Sequence, residues 1–89
     1  MQHIHGREHL EGGGLVIVHS SHQCNVLVMD DLNYRSYCSG SRFTYHGGWY
    51  EMFPAQIGIP STGYWNVVLD LGGGSANIRY DIQYLKRAA

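Results

Sequence analysis

Charge is scarce in this sequence and nearly balanced. Only 15% of its 89 residues are charged, six Lys and Arg against seven Asp and Glu, for a formal net charge of -1. Such a surface sets up no field that would gather a phosphate backbone or an anionic bilayer, so nucleic acid and membrane are set aside as partners. The one local basic pair, Lys86-Arg87, reads as a solvated chain end.

Long apolar runs are missing too. No stretch approaches the roughly 18 to 20 residues of a membrane helix, and the opening Met1-Gln2-His3-Ile4-His5 lacks the basic-then-apolar order of a signal peptide. No Asn-x-Ser/Thr acceptor occurs. The expected location is therefore cytoplasmic, and there Cys24 and Cys38, the only two cysteines, are expected as thiols. There is no Cys-x-x-Cys pair, no Gly-x-Ser-x-Gly elbow, no repeat and no low-complexity linker. A chain of this length implies one domain, read as residues 1–85 with a tail at 86–89.

What is present is β-strand pattern. Hydrophobic residues make up 44% of the chain, enough for one core, although a domain of this size buries only about two-thirds of its unfolded surface. Residues 76–84 alternate apolar and polar strictly, the signature of a strand with one wet face. Before them, Tyr64 to Leu71 places Trp65, Val67, Leu69 and Leu71 on one face, as core, and Asn66, Val68 and Asp70 on the other. Gly72 to Gly74 between the two suggests a hairpin. Leu15 to Val18 and Val26 to Met29 are short β-branched runs expected of strands covered on both faces. Arg42 to Tyr45 and Ala55 to Ile59 are further strands, the latter closed by Pro60, and His3-Ile4-His5 suggests one more. Residues 30–37 form the one helical segment, capped by Asp30 or Asp31, with Leu32, Tyr34 and Tyr37 on its buried side. With glycine turns at 12–14, 47–48 and 72–74, the pattern predicts an all-β antiparallel sandwich or jelly roll of about seven strands.

Six histidines raise the question of metal. On a strand, His3 and His5 share a face and can offer two nitrogens to one ion, with His46 or Glu51 as a distant third ligand. In cupins a glutamate follows such a pair after three or four residues; here Glu8 follows after two and Glu11 after five. Pro60-Ser61-Thr62-Gly63 likewise lacks the second cupin motif. A metal-dependent cupin-like enzyme is thus the alternative reading. His19, His22 and Cys24, with Cys38 or His46, match no structural zinc spacing, and exposed loop histidines beside a buried thiol are the plainer account. The glycine runs lead into strands, which removes the helix N-terminus that a phosphate loop needs.

Two further sets point to ligand binding. Trp49 follows Gly47-Gly48 in an expected loop, where a purely structural tryptophan is unusual, and Tyr45 lies nearby. Asn25, Asp30, Asn33 and Tyr37 surround the helical turn and are placed to line a pocket, although Asn and Asp also cap turns locally.

Across nearly the whole chain, about residues 1–85, the order of short stretches carries a resemblance. Asn25-Val26, Met29-Asp30, Asn33-Tyr34, Tyr37 and Gly40 come first. They are followed by Tyr45 before Gly47-Gly48, Ile59-Pro60, Gly63 before Trp65, and Val67 to Gly73. This sequence resembles a bacterial domain-of-unknown-function family of short all-β proteins, also met beside Toll/interleukin-1 receptor-like (TIR) domains. His19, His22, Cys24 and Cys38 depart from the family's usual residue types, which argues against a family-wide metal site there. The resemblance implies the β fold and no activity, and the TIR neighbourhood implies a recognition or regulatory module. The leading expectation is accordingly a non-catalytic module without a cofactor, binding a protein or small molecule through Asn25, Asp30, Asn33, Tyr37, Tyr45 and Trp49. A third reading is a homodimer formed by pairing of the Arg42–Tyr45 edge.

Overall fold

The first strand shows how the chain sorts its residues. Alternation in β1 (Ile4–Leu10) sends Ile4 and Leu10 to the core and leaves His5, Arg7 and His9 exposed on the opposite face. The computed structural model describes residues 3–72 and 77–86. Along these the order continues with β2 (Leu15–Ser20), β3 (Cys24–Asp30), α1 (Asp31–Ser39), β4 (His46–Tyr50), β5 (Ala55–Gly58), β6 (Gly63–Asp70) and β7 (Tyr80–Leu85).

The strands form two antiparallel sheets, one in the order β1-β6-β3-β4 and the other β5-β2-β7. Together they make a sandwich of seven strands among the described residues, as the sequence pattern predicts. Between the sheets lie Val16 and Val18 of β2, Val26 and Val28 of β3, Ile57, and Trp65, Val67 and Leu69 of β6. Each such side chain, once buried, contributes about 1.5–3 kcal/mol. On the outer face of the four-stranded sheet, α1 covers a second, smaller cluster of Leu27, Met29, Tyr37 and Val68, flanked by Tyr34 and Phe43. The molecule is therefore layered helix, sheet, sheet.

The helix obeys its local signals. The Asp30 side chain accepts from the Asn33 N–H, and Gly40, in the left-handed region at φ 77, caps the other end, a position that suits glycine because it has no Cβ. The helix runs Asp31–Ser39, two residues past the end expected at 37. Leu32 is 67% exposed, not buried as its spacing suggested. Tyr34 and Tyr37, three residues apart, define the face that the sheet receives.

The remaining expectations differ in instructive ways. β6 and β7 form no hairpin: they sit in different sheets, β6 between β1 and β3, and β7 beside β2. Gly73, Gly74 and Ala76, on which that reading partly rested, lie outside the described residues, and β7 begins only at Tyr80. The strand expected at Arg42–Tyr45 is instead β4 at His46–Tyr50, so Gly47-Gly48 is strand and not turn. Gly47 has φ 108, and a Cβ there would overlap the Val26 carbonyl oxygen. Backbone approach, not chain reversal, is what demands glycine at this position. In β2 only Val16 and Val18 are buried, while Leu15 and Ile17 are half-exposed, because among the described residues no helix covers that sheet's outer face as α1 covers the other. Val68, placed with Asn66 and Asp70 on the face opposite Trp65, is fully buried under α1.

Candidate functional site

Where α1 leaves the outer face of the sheet uncovered, the alternation of β1 and β6 brings polar side chains together. Arg7 lies opposite Asn66, and His5 opposite Val68, all on the helix side. Arg7 donates from Nε and Nη2 to the two carboxylate oxygens of Asp31, at 3.0 and 2.7 Å, and its guanidinium rests 4.0 Å over the Tyr64 ring. Fork pairing combined with stacking fixes the plane of this side chain.

Asn66 links the pieces. It is 1% exposed, and its Nδ2 donates to Asp31 Oδ1 (2.8 Å) and to the Met29 carbonyl (3.3 Å). Its Oδ1 therefore accepts from His5 Nε2 at 2.8 Å, which makes Nε2 the protonated nitrogen of that ring. The His5 ring stacks on Tyr34, with centroids 4.0 Å apart and planes 9° from parallel. Tyr34 O in turn lies 3.0 Å from His3 Nε2. His3 also packs edge-on against Tyr37 at 5.1 Å. Tyr37 donates its hydroxyl to Asp70, whose other oxygen accepts from the Gly72 N–H.

The electrostatics follow from these contacts. The Arg7 guanidinium, and after it the Asn66 amide, holds the Asp31 carboxyl well below the usual carboxylate range. Burial, with a contribution from Cys38, pushes the Tyr34 hydroxyl up to about 12. Burial and Asp70 raise that of Tyr37. Both phenols therefore stay protonated, as hydrogen-bond donors, at neutral pH. Above this network lies an open groove of about 390 Å³ lined by His5, Arg7, Asp31, Tyr34, Arg35 and Asn66. A second depression of similar volume lies on the other side of Asp31, between the start of α1 and residues Ser61 to Trp65.

The residues singled out in the sequence scatter. Asp30 is the helix cap and also accepts from Asn33 Nδ2, while Asn33 Oδ1 accepts from the Thr44 N–H and ties the following loop to the helix. Tyr37 is buried. Asn25 is half-buried on β3, between Trp49 on one neighbouring strand and Asp70 on the other. Tyr45 and Trp49 are exposed, Trp49 on edge strand β4 and not in a loop. Of the six, Asp30 alone lines either of these two cavities among the described residues. His3 and His5 do share a face, with ring centroids 6.3 Å apart, but His46 belongs to the opposite edge of the sheet and packs on Trp65. Among the described residues, no three His, Cys, Asp or Glu side chains are grouped to hold a metal ion. Cys24 is a buried free thiol of the inner core and Cys38 an exposed one on α1, so the sheet separates them.

Arg7, Asn66 and Arg35 escaped the sequence reading as site residues. For Arg7 a signal exists, since the period that pairs His3 with His5 extends to Arg7 and His9. Asn66 and Arg35 join only because α1 folds over this particular pair of strands.

A domain of unknown function, DUF1883, matches residues 1–88. The chain belongs to this family. No curated protein and no solved structure matches it. Among the described residues, no helix of this DUF1883 domain is long and apolar enough to cross a membrane.

Proposed function

We propose that this DUF1883 domain is a recognition module that receives its ligand in the groove between the outer face of β1 and helix α1. The observation that carries the reading is the chain of hydrogen bonds from Arg7 through Asp31 and Asn66 to His5, which holds exposed polar and aromatic groups in fixed positions beside open space. Such preorganisation lowers the cost of binding. The side chains restrain one another, an arrangement suited to holding a ligand rather than transforming it. The resemblance to bacterial proteins that accompany TIR domains fits a module whose neighbour supplies the activity.

The test is a thermal-shift screen of tag-free protein against nucleotides, oligosaccharides, small acids, neutral aromatics and divalent metals, with hits repeated on Arg35→Gln and Trp49→Ala. A ligand at 100 times its dissociation constant adds about 2.7 kcal/mol, a shift on the order of 10 °C in a domain this small. The groove reading expects hits to weaken in Arg35→Gln and to persist in Trp49→Ala. The reverse pattern moves the site to β4.

A second reading has its own observation. Tyr45, Trp49 and Met52 are 48%, 52% and 83% exposed along one edge of the four-stranded sheet, and an edge with exposed aromatics suits pairing between copies. Light scattering reporting a dimer that Trp49→Lys dissociates supports it, and a monomer at high concentration disposes of it.

A further inference from the structure

We propose that the groove takes a compact oxyanion, a phosphate or sulfate-type group, held between the guanidinium groups of Arg7 and Arg35; this rests on the groove being the binding site. The alternation of β1 sets the charge of this face. Glu8, the acid between Arg7 and His9, points to the opposite face, where its charge acts on Tyr84. The outer face of β1 thus presents His5, Arg7 and His9 with no carboxylate of its own.

The neighbouring elements bring three acids, each already committed. Asp30 accepts two bonds from Asn33, Asp70 accepts from Tyr37 and Gly72, and Asp31 accepts from Arg7 and Asn66. Arg35 stands one helical turn beyond Asp31, close enough for its charge to act on that carboxylate, yet among the described residues it joins no ion pair. Two guanidinium groups therefore line a groove that holds a single carboxylate. Arg7 spends Nε and one Nη2 hydrogen on Asp31, and the donors on Nη1 remain for a second acceptor. A tetrahedral oxyanion accepts several such bonds at once, and two rigid guanidinium forks match it better than point charges do.

The experiment is a ¹H–¹⁵N NMR titration with sodium sulfate, whose charge is constant across the working pH range, with sodium chloride as the ionic-strength control and phenol as a neutral probe. The expected result is saturable shifts confined to residues 5–7, 31–35 and 66, weakened about fivefold or more in Arg35→Gln. Arg79→Gln, which removes an exposed guanidinium elsewhere, should bind sulfate as the wild type does. Arg35 is itself exposed, so its variant is expected to fold, and its melting midpoint verifies this. Sulfate shifts that chloride reproduces, or that Arg35→Gln leaves intact, overturn the proposal. If phenol perturbs the groove and sulfate does not, the anion inference falls while the binding site stands; if neither perturbs it, both fall. Phenyl phosphate and inorganic phosphate run in parallel separate an oxyanion carried on a larger molecule from a free one, the ester binding more tightly in the first case.

Discussion

The two faces of the four-stranded sheet are built from the same strands and have opposite characters. Facing the second sheet, β3 and β6 present Cys24, Val26, Val28, Trp65, Val67 and Leu69, an apolar layer. Facing the helix, the alternate residues of these strands are Asn25, Leu27, Met29, Asn66, Val68 and Asp70, so apolar packing and polar bonding share one surface. Asn66 and Asp70 are the buried polar or charged side chains among the described residues, and both lie on this face. A layer that must only exclude water is filled by shape. A layer that must also hold one helix in one orientation uses bonds that a shifted helix would lose.

This contrast is best broken from the dry side first. Leu69→Ala should cost about 3 kcal/mol in urea unfolding while leaving the NMR signals of the groove in place. A comparable disturbance of His5 and Arg7 would show that the two layers are not separable. Next in size, Asn66→Ala should cost about 2 kcal/mol, because it removes the Nδ2 bonds to the Met29 carbonyl and Asp31 and takes the Asn66 acceptor from His5 Nε2. Unlike the first, it should displace the His5 and Arg7 resonances.

Tyr37→Phe should cost about 1.5 kcal/mol at neutral pH, the low end for a hydrogen bond to a charged group, since its acceptor is the buried Asp70 carboxylate. It also tests a pH dependence. The folded-state values of Tyr34 and Tyr37 are raised above the ordinary tyrosine value, so the unfolded chain loses these protons first. Their contribution is complete below about pH 10 and is lost as pH rises through the folded values, which for Tyr34 means about 12. Melting curves between pH 9 and 12 should show a smaller alkaline loss in the double variant Tyr34→Phe/Tyr37→Phe, with a remainder from Tyr84, also raised by burial. An unchanged alkaline slope would remove the two phenols from the account.

The smallest effect belongs to the exposed ion pair. Asp31→Asn should lower the melting midpoint by only about 2 °C at neutral pH, and 1 M salt should shrink the difference. Here the sign is opposite: the carboxyl is depressed in the fold, so its contribution is present above about pH 4 and is lost as pH falls toward its folded value.

Much of the fold was legible because it depends on local pattern. Periods of two, the glycine turn at 12–14 and the Asp30 cap place strands and helix from neighbouring residues alone. The site was less legible. Asn33 and Asp30 looked like pocket residues because their amide and carboxylate chemistry suits a ligand, yet both are spent on the helix cap and the loop after it. Trp49 looked like a loop residue because glycines precede it, whereas Gly47 lets β4 lie against β3.

The sequence by itself determined the class of the fold, the apolar layer between the sheets and the shared face of His3 and His5, since each follows from which side of a pleat a residue occupies. Only the tertiary structure decided that β6 and β7 part into different sheets, that α1 buries Val68, and that Asp31 and Asn66 meet Arg7 across 24 and 59 residues of chain. Strand order and helix placement are settled by which long-range contacts bury most surface and satisfy most polar groups together, and no local period records that sum.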